Sequence, residues 1–129
     1  MLNDYATSVN NMDTVLAAKV WAINDSISFI HPRGHEKGWQ RIKNNFYIKT
    51  MFETFSERKL NINSLTINIY GDYAYVEFYW TFNAKLRNNG MSLTTQGRES
   101  QMLKKDKSGW HILHIHYSGM PVTAERQGF

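Results

Sequence analysis

The succession of hydrophobic periods predicts an α+β domain, with helices packed across a curved antiparallel sheet. Apolar residues recur at helical spacing as far as Ser56. From Leu60 onward they recur at every second position, the period of strands. The chain then closes with Trp110–Gly119, a strand preceded by the charged turn Lys104-Lys105-Asp106-Lys107-Ser108-Gly109. Helices first and a four-stranded antiparallel run afterwards is the α+β order.

Residues 2–10 read as a short helix with Asn3 or Asp4 available as N-cap, broken at Asn10-Asn11. Asp13 or Thr14 caps a second helix through Val15, Leu16, Ala17, Ala18 and Val20. Ser26–Ile30 is β-branched and alternating, which predicts a short strand. His31-Pro32-Arg33-Gly34 must turn, because proline and glycine interrupt helices and ladders alike. Gly38 to about Ser56 carries Trp39, Ile42, Phe46, Met51, Phe52 and Phe55 at helical spacing, a long helix to cover the sheet. Strands follow at Leu60–Ile69, Tyr73–Asn83, Met91–Lys104 and Gly109–Ser118, punctuated by Gly71-Asp72 and the hairpin signal Asn88-Asn89-Gly90. No linker or repeat divides the chain, so residues 1–129 are expected to form one domain.

Alternation assigns the sheet faces. Ala74, Val76, Phe78 and Trp80 share one face; Tyr73, Tyr75, Glu77, Tyr79 and Thr81 share the other. In the last strand Leu113, Ile115 and Tyr117 are expected inward, with Ile112, His114, His116 and Ser118 outward. Arg98 falls with Gln96, Ser100 and Met102, expected inward, while Glu77 and Glu99 are expected outward. The Tyr/Glu and His/Ser face is too aromatic for plain solvent and suits a homodimer interface that includes Tyr75, Tyr79, His114 and His116.

Composition limits the chemistry. At 129 residues, with 42% hydrophobic and 14% aromatic residues, the chain can bury a core and is not a disordered segment. The net charge of +4 is scattered, with its densest group in a hairpin turn, so no nucleic-acid stripe is expected. The absence of cysteine removes disulfides, thiol catalysis and Cys-based zinc sites. No apolar run is long enough for a membrane span or an export signal, which makes cytoplasmic the expectation. His114 and His116 share a face, but without an acidic partner they do not complete a metal site, and no metal or cofactor is expected.

Four side chains are candidates for a pocket between sheet and helix. Arg98, if inward, would satisfy a ligand carboxylate or oxyanion; its alternative is an ion pair with Asp25 or Glu53. Trp80, Phe78 and Tyr117 would stack on a flat ligand, or simply fill the core. A fifth, His31, shares a strand face with Ile27 and Phe29 and should point inward near the mouth, where an imidazole could act as general base or merely bond backbone.

Trp110-x-Ile112-Leu113-His114-x-His116-x-Ser118-Gly119-x-Pro121, with the preceding Arg98-Glu99, resembles the end of the association (hub) domain of calcium/calmodulin-dependent kinase II. His31-Pro32-Arg33-Gly34, followed by Gly38 and a helix, resembles the turn that carries the general base in ketosteroid isomerases. Over nearly its full length the chain resembles the NTF2-like (SnoaL-like) superfamily. The resemblance implies a cone with a ligand pocket. It departs from the hub pattern in having Trp80 and Tyr117 where further arginines would stand, and from the isomerase pattern in having His31 in place of a carboxylate. Two functions stay open: a module binding a small organic acid or carbonyl compound, or an isomerase, cyclase or dehydratase with His31 as base.

Overall fold

The structure is a computed structural model that describes residues 1–122; the expected C-terminal limit of the domain, residue 129, lies outside them. Helices α1 (Leu2–Asn10) and α2 (Thr14–Val20) lead into β1 (Ser28–His31) and β2 (Gly34–Lys37). Next come α3 (Trp39–Arg41), a π-helix (Ile42–Phe52), and strands β3 (Phe55–Tyr70), β4 (Tyr73–Leu86), β5 (Ser92–Asp106) and β6 (Gly109–Gly119). Six strands form one sheet in the order β2-β1-β6-β5-β4-β3. All neighbours are antiparallel except β1 and β6, which run parallel. The expected α+β architecture is present, enlarged by the β1–β2 hairpin that alternation alone did not separate from its turn.

Local signals explain most element ends. Asp13 caps α2, its carboxylate accepting from the amides of Val15 (3.1 Å) and Leu16 (2.9 Å). Helix α1 starts without a side-chain cap, so neither Asn3 nor Asp4 fills that role. The long helix is wound with i→i+5 bonds, as in the Glu53 amide to Ile48 carbonyl (2.9 Å), and the Thr50 hydroxyl bonds the Asn45 carbonyl (2.7 Å). Its last carbonyls would be left without amide donors. Arg58 and Arg87 supply them instead: Arg58 Nη1 donates to the Met51 carbonyl and Arg87 Nε to that of Phe52.

A buried polar chain ties the helices together. Trp21 Nε1 donates to the Tyr47 hydroxyl (3.3 Å), which pairs with Ser8 (3.1 Å), whose hydroxyl donates to the Tyr5 carbonyl (2.7 Å). Around it pack Val9, Ala17, Ile27, Phe29, Ile42 and Phe46, all buried, against Val76, Phe78, Ile112 and Ile115 of the sheet.

Two facing assignments need correction. Directly paired residues in a sheet share a face. Trp80 pairs with Gly97 and Phe78 with Glu99, so Gly97, Glu99, Gln101 and Leu103 point inward. Arg98 pairs with Tyr79 and lies exposed on the outer face, the same face as Glu77. In β6 a bulge opposite Met102 and Leu103 breaks the alternation at Leu113, so Ile112 and Ile115 are both buried. Tyr117 remains inward, and His116 remains exposed outward.

Candidate functional site

Between the helices and the concave face of the sheet lies a cavity of about 490 Å³, within the range typical of small-molecule sites. Its wall is almost wholly apolar and aromatic, with Phe46, Met51, Leu60, Trp80, Phe82 and Tyr117 prominent. Trp80 reaches this position because Gly97 stands across from it. A side chain at Gly97 would strike the Trp80 ring and the Ser118 carbonyl oxygen. The Trp80 and Tyr117 rings meet at 88° with centroids 5.6 Å apart, the edge-to-face geometry aromatic pairs prefer. Trp80 Nε1 is buried with no hydrogen-bond partner among the described residues.

One carboxyl sits in this wall. Glu99 is buried, 5% exposed. Its Oε1 accepts from Gln101 Nε2 at 2.8 Å. Burial penalises the charged form and pushes the carboxyl up to about 7; the contacts from Gln101 and Tyr5 pull the other way and only partly offset it. Tyr5 and Tyr117 also line the cavity. Burial first, and the nearby Glu99 second, raise both phenols well above their ordinary value, so both keep their protons as donors.

A second, polar recess of about 530 Å³ adjoins this cavity, and Arg33 and Thr50 line both. His31 lines the recess rather than the cavity. Its ring packs in the partition, 5.9 Å from Phe46 and 6.3 Å from Tyr117, centroid to centroid. His31 Nδ1 accepts from the Arg33 amide at 3.3 Å, which assigns the ring proton to Nε2. Nε2 lies 3.5 Å from Glu36 Oε2 without hydrogen-bond geometry, and Asn45 Nδ2 donates to Glu36 Oε1 at 2.9 Å. Burial lowers the imidazole below its ordinary value, with Glu36 opposing.

Of the sequence candidates, the structure brings Trp80 and Tyr117 together in the cavity. Phe78 is buried in the core and does not line it. Arg98 is on the outside of the sheet, in a shallow groove with Glu77, Ser100 and His116. His31 does point inward, but both ring nitrogens are turned to Arg33 and Glu36. Glu99 and Tyr5 were missed. Counting outward from the Asn88-Asn89 turn pairs Phe78 with Glu99, the one signal that would have found the carboxyl. For Tyr5 the signal is its i,i+4 spacing to Val9.

The sequence profile of the SnoaL-like domain family matches residues 1–123. None of the curated proteins compared with the chain matches it. Among solved structures, a nuclear transport factor 2 (NTF2-like) superfamily protein from Salmonella enterica serovar Typhimurium is 43% identical, covers 99% of this chain and 92% of its own, and superposes with a TM-score of 0.95. A Xanthomonas campestris protein assigned as a calcium/calmodulin-dependent protein kinase II association domain superposes at 0.79 with 18% identity, covering 95% of this chain and 84% of its own. A Novosphingobium aromaticivorans protein assigned as a scytalone dehydratase gives 0.80 with 12% identity, covering 93% and 79%. These last two share the fold. The cone, its inward-facing sheet and the match across residues 1–123 place this chain in the SnoaL-like, NTF2-like family.

Proposed function

We propose that the cone binds a small, flat, mostly apolar molecule and moves a proton on it, with Glu99 as the group that takes and returns the proton. One observation carries this reading: a buried carboxyl in an apolar cavity, pushed up to about 7. A general base is most effective when its pKa lies near the working pH. Glu99, expected outward from the alternation, turns inward and is the carboxyl that an acid–base reaction in the cone needs. Tyr5 and Tyr117 line the same apolar cavity, and in this reading their phenols are the donors to an oxyanion. Fold neighbours include assigned dehydratase and association-domain proteins, so fold alone favours neither reading. The carboxyl favours proton transfer.

The assay is exchange of the α-protons of tetralone, a flat bicyclic ketone, for deuterium, followed by NMR. The rate should rise as pH passes about 7. Glu99→Gln should lower it by roughly 10²–10⁴, whereas His31→Ala should leave a rate within an order of magnitude. A Glu99→Gln protein as fast as wild type would overturn the assignment; tetralone bound without exchange would favour the module that only binds.

A homodimer through the outer sheet face belongs to the same proposal. Tyr75 and Tyr79 are exposed there beside Arg98 and His116, and Tyr70 stacks on Tyr75 at 6.1 Å. His114 is half-buried, its Nδ1 paired with the Ser28 hydroxyl at 2.7 Å. A monomer rarely leaves so aromatic a surface in water.

A further inference from the structure

Resting on the reading of the cone as a ligand cavity, we propose that the polar recess is the other half of the same site, and that the ligand is an amphiphilic acid whose carboxylate lies in the recess between Arg33 and Lys49.

The two spaces differ sharply in chemistry yet share a border. The cone offers aromatic and aliphatic surface; the recess offers Asn45, Thr54 and charged groups. Arg33, in the β1–β2 turn, lines both, as does Thr50 on the π-helix. A ligand that fills the cone and extends past Arg33 therefore enters the recess, and the part that enters must be polar to replace the water it displaces.

The free valences there select an acceptor. Arg33 and Lys49 have no carboxylate within ion-pair distance among the described residues. Among the described residues the Arg33 guanidinium donates only to the Thr54 hydroxyl, at 3.5 Å. Of the two carboxylates in the recess, Glu36 is buried and accepts from Asn45, and Glu53 is exposed and lies outside ion-pair distance of either cation. The His31 side chain, 2% exposed, lines the recess with Nε2–H lacking a hydrogen bond. The N–H groups of Arg33, Lys49 and His31 that no carboxylate of the described residues takes up favour a carboxylate over an amine or a cation, and a guanidinium takes a carboxylate bidentately. In this proposal the arginine for a ligand acid is Arg33, in the turn, in place of Arg98, which faces outward.

The test compares two probes that share a body and differ in the head: naphthylacetate and the neutral naphthylethanol. Their affinities for the wild-type protein are read by calorimetry. The acid should bind about tenfold more tightly than the alcohol, the scale of one hydrogen bond to a charged group. In Arg33→Gln/Lys49→Gln the ratio should collapse to near one; both positions are exposed, so the fold is not at risk. In Glu99→Gln the ratio should persist although exchange chemistry is lost. Equal binding of acid and alcohol to wild type, or a preference that survives Arg33→Gln/Lys49→Gln, overturns the recess proposal alone. Failure of both probes to bind overturns the cavity reading with it.

Discussion

Burial of Glu99 couples its ionisation to folding. Below its ordinary value of 4.5 the carboxyl is protonated in folded and unfolded chains alike, and the favourable burial is fully present. As pH rises from there to about 7 the unfolded chain ionises while the folded one holds its proton, so stability falls; above about 7 it falls no further. A shift of this size corresponds to about 3 kcal/mol. Glu99→Gln keeps the shape and the acceptor for Gln101 but cannot ionise. Urea unfolding should therefore find the variant close to wild type at about pH 4 and more stable than wild type at about pH 8. His31 and His114, lowered by burial, lose their contribution on the acid side in both proteins, and the comparison cancels them. Equal stability at the alkaline end would mean that Glu99 is not held in an apolar setting.

The crossing of β4 and β5 is where side-chain facing was decided, and Gly97 is its centre. Ala at this position places a Cβ against the Ser118 carbonyl oxygen and the Trp80 ring. The indole could swing aside, but the backbone of β6 cannot. Gly97→Ala should cost about 2 kcal/mol or more and shift tryptophan emission as Trp80 moves toward water; thermal unfolding and fluorescence read both. An unchanged midpoint would mean that Trp80 does not pack over β5. The same strand marks how far the sequence was legible. Helical and strand periods located the helices and the last four strands, and they gave the inward set Ala74, Val76, Phe78 and Trp80 because β4 carries a strictly apolar face. In β5 the choice lay between Gly97, Glu99, Gln101 and Leu103 on one side and Gln96, Arg98, Ser100 and Met102 on the other. Neither set is apolar, so alternation was silent, and Arg98 and Glu99 exchanged places. In β6 the bulge at Leu113 changed the period, which no local residue type announces. Strand β1 was legible at Ser26–Ile30, whereas β2 starts in the predicted turn and was not separated from it, and the parallel pairing of β1 to β6 is a long-range choice made by the sheet, not by its few residues.

At the scale of the whole molecule, the outer sheet face is the surface that assembly would cover. Tyr79→Glu with His116→Glu places two carboxylates next to Glu77 on that face. Light scattering should then read one chain where the wild-type protein gives two, with circular dichroism unchanged; an undiminished dimer would put the interface elsewhere. The sheet order has a further consequence in time rather than space. Strand β1 lies between β2 and β6, with Ser28, Phe29 and Ile30 beside His114, Ile115 and His116. On a ribosome the β1–β2 hairpin emerges early and has no seat in the sheet until the last strand is synthesised. Contacts of such sequence separation form slowly, and a nascent chain with unpaired edges is open to misassociation. The wall that carries Tyr117 arrives with the same strand, so the cavity does not exist until β6 has emerged and paired. A chain cut short before Gly109 would be stranded with its N-terminal hairpin undocked.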